Sequence, residues 1–206
     1  MVKEIWEPDL KVLFVGMAAD EVSDKLGFHH LHPRDRFWEL LEISGLTPKR
    51  VITASERKAM AEGQAQGSVS DPIRSMFIEK KTSQLLKLGI GLFDLNRRAV
   101  ATNDKDKAAR PTGEELQQFV ARVMQLEPKS LAFVIRPELF VAVFSADFPA
   151  ATGILGLQSF KIGKAEVWLL GSTSAVLRGE SLKLQEDAFF ALGERLTVSQ
   201  QEKVDR

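Results

Sequence analysis

The chain of 206 residues contains no cysteine. Disulfides, cysteine-ligated zinc, iron–sulfur clusters and thiol catalysis are therefore excluded. No apolar run approaches the length needed to cross a membrane. Met1-Val2-Lys3-Glu4 also lacks the apolar core of a signal peptide. Together these absences lead to an expectation of a soluble, cytoplasmic protein. Neither charge is in excess: Lys plus Arg and Asp plus Glu number 28 each. A neutral total argues neither for nor against nucleic-acid binding, for which a local patch is enough. There is no Walker loop, and Gly-x-Gly-x-x-Gly does not follow the first apolar run. Classical nucleotide-cofactor binding thus loses its main support. Long Pro/Gly/Ser linkers and internal repeats are missing too, so one domain over 1–206 is expected.

What is present suits a folded core. The hydrophobic fraction is 44%, enough for a sizeable interior at this length. Short apolar runs at Val12–Gly16, Leu88–Leu92, Leu131–Ile135 and Val167–Leu170 read as strands. Helical or loop-like sequence separates them, which predicts an α/β fold with a mostly parallel sheet covered by helices. Pro33 suits the first turn of a helix carrying Phe37, Leu40, Leu41 and Ser44 on one face, with Gly45 as C-cap. Thr112-Gly113-Glu114-Glu115 reads as a capping box. The helix it starts buries Leu116, Phe119, Val120 and Val123 and is stopped by Pro128. A final helix is expected over Ser181 to Leu196, with a frayed polar tail from Gln200 to Arg206. Ala54 to Lys81, polar and rich in Ala, Gly, Gln and Ser, fits no regular pattern beyond a weak helical start. It reads as a long loop, a lid or a mobile segment.

The most informative stretch is Lys11 to Trp38. Its apolar run ends in Gly16 and opens into a loop that holds all three histidines, His29, His30 and His32, beside Pro33. In open α/β sheets ligands bind beyond the carboxyl ends of the strands. Groups that stack, hydrogen-bond and titrate are thus concentrated at one ligand-binding edge. Asp94 ends the second apolar run and belongs to the same edge. Two readings stand for it: an acid that orients water and stabilises a cation, or a cap on the next turn. His30 reads either as a stacking, hydrogen-bonding ring at a ligand or as a loop histidine tied to backbone. His30 and His32, two apart, also allow a metal site completed by Asp20, Asp24 or Asp35.

Asp9 to Gly16 followed by Gly27-Phe28-His29-His30-Leu31-His32-Pro33-Arg34-Asp35-Arg36-Phe37-Trp38 resembles the start of the mismatch-specific uracil/thymine-DNA glycosylases. Those proteins carry a strand, a G-I-N-P-G-like turn and an H-P-x-N-R-F-W-like segment. Leu88-Gly89-Ile90-Gly91-Leu92-Phe93-Asp94-Leu95 is similar to their G-I-G-F-T-N or G-V-T-D-L-V stretch. Val167-Trp168-Leu169-Leu170-Gly171-Ser172-Thr173-Ser174-Ala175 is similar to their V-W-V-L-P-N-P-S-G or P-S-S-S-A. The three matches come in the family's order and span roughly Leu10 to Leu196, with 54–81 as an apparent insertion. The departures are specific. The family's water-positioning Asn maps onto Ala18, its base-stacking aromatic onto His30, a further Asn onto Asp35 and a Pro onto Gly171.

The resemblance implies a three-layer α/β/α fold with a short, mostly parallel central sheet, in the uracil-DNA glycosylase superfamily. It implies hydrolysis of the N-glycosidic bond of uracil or a related deaminated base in DNA, the first step of base excision repair, without metal or organic cofactor. It gives Asp94 and His30 catalytic roles. Gly16, Met17, Ala18, Asp20, His29, Asp35, Phe93 and Ser172 would line the substrate site. Arg98, Thr173, Ser174, Val176, Leu177 and Arg178 would contact DNA, Val176 and Leu177 as an apolar wedge. Arg97, Lys105 and Lys107 would add backbone attraction, diluted by Asp104 and Asp106. The partner would be DNA with a damaged or mismatched base, bound by a monomer. The alternative is a catalytically silent relative that binds DNA or abasic sites, favoured by Ala18.

Overall fold

The computed structural model describes residues 2–67, 70–98, 100, 110–173 and 179–204. Four strands are apolar runs buried along their length: β1 (Val12–Gly16), β2 (Ile90–Asp94), β3 (Ser130–Phe133) and, almost throughout, β5 (Ala165–Leu169). Strands buried on both faces read this way in parallel sheets. β1 pairs in parallel with β2 and β3, and β3 with β5. A fifth strand, β4 (Gly156–Ile162), is antiparallel to β5 at the sheet edge, giving the order β2-β1-β3-β5-β4. Ile162 pairs with Ala165 across Gly163-Lys164, and Gly163 takes a φ of 60°. A two-residue hairpin turn asks for such a left-handed residue.

Strand period then divides the interior. Val12 and Phe14 face one core with Phe28, Phe37, Trp38 and Phe189. Leu13 and Val15 face the other with Phe93, Phe119, Phe133 and Phe140. The first core is covered by α1 (Glu21–Leu26), α2 (Phe37–Ile43), α3 (Ala54–Ala65), α4 (Asp71–Lys87) and α7 (Glu180–Val204). The second lies under α5 (Gly113–Leu126) and α6 (Pro137–Phe144). The protein is a three-layer α/β/α sandwich. No helix among the described residues is long and apolar enough to cross a membrane.

The strands expected at Leu88–Leu92 and Leu131–Ile135 are shifted by one or two residues. Leu88 caps α4, and Gly89 turns the chain at a φ of 73°. The helix expected to open at Pro33 begins at Phe37, because the Asp35 side chain takes the Phe37 amide at 2.8 Å. The Thr112 capping box forms, with Glu115 reaching back, and α5 ends at Glu127 in the left-handed conformation before Pro128. The last helix runs beyond Leu196 to Val204, where a frayed tail was expected.

The largest correction concerns 54–81, most of which belongs to two helices, α3 and α4, rather than to a loop. Thr53 and Glu56 form a capping box on α3. The apolar stripe of α3 and α4 is broken because two of their inward positions are charged. Arg57 donates to the carbonyls of His32 and Asp35. Lys81, buried on α4, donates to Val51 O at 2.5 Å and to Glu56 at 2.8 Å. Such groups are tolerated inside when most of their donors are used; Arg57 Nε is buried without a partner among the described residues.

α7 rests directly on the end of α2. A Cβ on Gly193 would stand 1.6 Å from the Ser44 carbonyl oxygen. The obstacle is backbone, so it cannot rotate away. Gly193→Ala should cost about 3 kcal/mol, the upper end for overpacking, read as a lowered urea midpoint. Unchanged stability would mean that α7 does not lie on α2 in this way.

Candidate active site at the carboxyl edge of the sheet

The carboxyl ends of β2, β1, β3 and β5 follow one another along one edge of the sheet, since Gly16 pairs with Asp94, Val15 with Phe133 and Phe133 with Leu169. At the first junction a side chain on β1 would displace the Asp94 carboxylate: a Cβ on Gly16 would stand 2.3 Å from Asp94 Oδ1. Glycine at 16 therefore lets the Asp94 carboxylate lie across the strand end. The next backbone bonds continue the pairing, Leu95 N to Gly16 O at 3.0 Å and Asn96 N to Met17 O at 2.8 Å.

Asp94 reaches His29. Its Oδ2 is 3.2 Å from His29 Nδ1, and His29 Nε2 is 3.2 Å from the Lys3 carbonyl. A carbonyl only accepts, so Nε2 carries a hydrogen. His29 is 4% exposed and Asp94 9%. Both line a recess of about 10 Å³, about what a single water needs, together with Val2, Glu4, Ala19, Asp24, Asn96 and Arg97. Asn96 is fixed by its own bonds, to Arg110 O and from Arg98 N, both at 3.0 Å. An acid held over a strand end in such a recess can orient water and stabilise positive charge.

His30 lies beside this recess, held in a left-handed backbone conformation with φ 54°. Its ring stacks on Phe37 at 3.9 Å between centroids, and its carbonyl accepts from Trp38 Nε1 at 2.9 Å. Nδ1 meets Asp35 Oδ2 at 2.9 Å, and 16% of the His30 side chain stays open. Burial disfavours the charged ring, but the Asp35 carboxylate, helped by Asp94 and Asp20, outweighs it and raises the His30 pKa above its ordinary value. Burial likewise works against the Asp35 anion. His30, Thr173 and the Phe37 amide overcome it and hold the Asp35 pKa below its usual range.

The remaining predicted residues divide. Asp20 caps α1, accepting from Val22 N, Ser23 N and Ser23 Oγ at 2.9, 3.0 and 2.6 Å. It acts on the site as a nearby charge, not as a free acid. Met17 is buried in the second core, and Ala18 packs against that core. Phe93 was expected at the substrate. It is instead a core ring, stacked with Phe119 at 5.4 Å and edge-on to Trp6 at 5.0 Å. Thr173 was expected on a phosphate. It is buried, its hydroxyl bonded to Asp35 and its carbonyl accepting from Arg36 N at 3.0 Å. The carbonyl of Ser172 accepts from Gln185 at 2.7 Å. Arg98, largely exposed, pairs with Glu115 at 3.1 Å. Ser174, Val176, Leu177 and Arg178 lie outside the described residues, as do Lys105 and Lys107 with Asp104 and Asp106. His32 turns its Nδ1 to Arg34 N at 3.2 Å, so it does not converge with His30.

No protein-family model matches the chain.

Among the described residues no group of three or more His, Asp or Glu side chains is arranged to hold a metal ion. Sequence reasoning missed the Lys3 carbonyl on His29, Asn96 at the recess and Arg57 behind the histidine loop. Asn96 carried a signal, two residues beyond Asp94 on the same strand end. The other two contacts join segments far apart in the chain.

The shared proton of His30 and Asp35 has a pH signature. A raised histidine pKa stabilises the fold fully below the unfolded value of 6.5, and this is lost as pH rises through the folded value. A lowered aspartate pKa stabilises fully above 3.8, and this is lost as pH falls through the folded value. The stability advantage over Asp35→Asn should therefore be widest between pH 3.8 and 6.5. The same substitution should lower the His30 imidazole midpoint measured by NMR. An unmoved midpoint would show that Asp35 does not hold the proton.

Proposed function

We propose that this protein is a DNA N-glycosylase of the uracil-DNA glycosylase superfamily, nearest its mismatch-specific branch. In this reading it hydrolyses the glycosidic bond of uracil or a related deaminated base. One observation carries the proposal. The Asp94 carboxylate lies across Gly16 and against His29, so the first two stretches of the resemblance meet at one polar recess. The third stretch adjoins through Thr173, bonded to Asp35. The α/β/α sandwich, with ligands at the strand carboxyl ends, suits the reading.

The chemistry follows from charge. Base loss passes through an oxocarbenium-like sugar, and the departing base gains negative charge. Asp94, anionic and shielded from bulk solvent, stabilises the sugar cation and orients the attacking water. This takes over the role left vacant at Ala18. His30 provides positive charge for the departing base, because Asp35 favours its protonated form. The nucleotide must leave the duplex to reach these groups, since stacking shields the bond. No metal or organic cofactor enters this scheme.

The second reading, a silent relative that binds DNA or abasic sites, is favoured by the alanine at 18. A uracil-containing duplex incubated with the protein and treated with alkali separates the two. Strand breaks mean base removal; binding without breaks means a silent relative. Asp94→Asn should cut single-turnover cleavage by about 10²–10³, the usual effect of losing an electrostatic stabiliser, with DNA binding nearly intact. Full activity in that variant would remove Asp94 from the mechanism.

A further inference from the structure

The N-terminal segment crosses the outer edge of β2. Ile5 and Leu92 exchange both backbone hydrogen bonds, at 2.9 and 2.8 Å. Trp6 then docks edge-on to Phe93 at 5.0 Å. The segment is thus anchored from Ile5 onward. The three residues before it wall the Asp94 recess: Val2 and Glu4 line it, and the Lys3 carbonyl holds His29. Glu4 and Arg97 also line a second space, a groove of about 350 Å³ bounded by Arg98, Arg122, Glu114 and Glu115. Residues 2–4 therefore stand between a wide groove and the acid at the strand end.

Glu4 is gripped from two sides. Arg97 Nη1 is 2.8 Å from Oε1, and Arg122 Nη1 bonds Oε2. The Arg122 guanidinium lies over the Trp6 ring, 4.7 Å from its centroid, so it is supported without Glu4. The fit is imperfect: buried Oε1 has no well-aligned hydrogen bond despite the short ion-pair distance. Two guanidinium groups converging on the oxygens of one anion make the arrangement that recognises phosphate. Around the groove three arginines face three glutamates. Glu115 is taken by Arg98 and by the Thr112 amide. Withdrawing Glu4 leaves positive charge in excess at the mouth of the recess.

We propose that Arg97 and Arg122 form a binding site for a nucleic-acid phosphodiester, that Glu4 occupies it as an internal stand-in, and that residues 2–4 lift to admit a nucleotide to Asp94. The choice of occupant rests on the glycosylase reading. Lifting breaks the two ion pairs of Glu4 and one hydrogen bond but returns all these groups to water, while the Ile5–Leu92 pairing stays.

The test is fluorescence anisotropy with a labelled single-stranded oligonucleotide of undamaged bases, across a salt series, with thermal unfolding in parallel. Glu4→Gln should tighten binding about fivefold and steepen the salt slope by about 0.7, the value for one added phosphate contact. Adding Arg97→Ala and Arg122→Ala to Glu4→Gln should abolish that gain. Glu62→Gln, which removes the same charge from α3, should not tighten binding. Arg97→Ala or Arg122→Ala in the native background frees Glu4 without completing the clamp and should not tighten binding either. The proposal is overturned if Glu4→Gln leaves affinity and slope unchanged, if its gain survives loss of both arginines, or if Glu62→Gln reproduces it. The expected binding pattern without base removal by the native protein would keep the clamp and remove the glycosylase reading. Base removal with unchanged Glu4→Gln binding would do the reverse.

Discussion

The Asp35 carboxylate is where separate stretches of the chain meet. It accepts from the His30 ring, from the Phe37 amide that opens α2, and from Thr173 after β5. Its own backbone carbonyl takes a guanidinium hydrogen from Arg57 on α3. A carboxylate with this many donors stays ionised even when buried. That charge in turn favours the protonated His30 ring. Loop 27–36, the start of α2 and Thr173 beyond β5 therefore hold their positions through one anion. Removing one partner would leave the others with unmet polar groups, which costs more than the lost bond itself.

Behind that anion, α3 acts as a brace. Arg57 is 4% exposed, yet its surroundings are backbone carbonyls rather than a free acid. Burial lowers its pKa, and Asp35 and Glu39 work against that lowering. Lys81 on α4 closes a similar arrangement with Glu56 and Val51. The segment that departs most from a regular sequence pattern thus supports the histidine loop from behind. Two of its charged residues serve that duty: Arg57 bonds the carbonyls of His32 and Asp35, and Lys81 bonds that of Val51.

Much of this architecture was legible in the sequence, and the reasons differ by element. β1 was read to the residue because four apolar positions run into a glycine that leaves room for the Asp94 carboxylate. The Thr112 box was read because its two hydrogen bonds are local. β4 was missed because an edge strand alternates exposed and buried positions and its Gly and Lys read as loop. α3 and α4 were missed because buried Arg57 and Lys81 look like surface residues until their partners are known. In the site, Asp94 was legible from its place at a strand end. Its contact with His29 was not, because 65 positions of chain separate the two residues. Strand period and loop packing turn Phe93 and Thr173 inward, a direction that a motif match does not record.

The two histidines next to each other at the edge are set for different work. His29 has both ring nitrogens engaged, one by a fixed carbonyl and one by Asp94, so its orientation is locked. His30 is bonded at Nδ1 and stacked on Phe37, with part of its side chain still open. In the glycosylase reading this division matters. A ring that only stacked on the flipped base would give equal help to substrate and transition state. A ring held charged helps most when the base departs as an anion, since catalysis depends on that difference. In that reading the positive charge of His30 would serve the departing base and the negative charge of Asp94 the sugar cation. Replacing the family's aromatic by histidine would thus exchange stacking for charge, and Asp35 is the residue that makes the exchange effective.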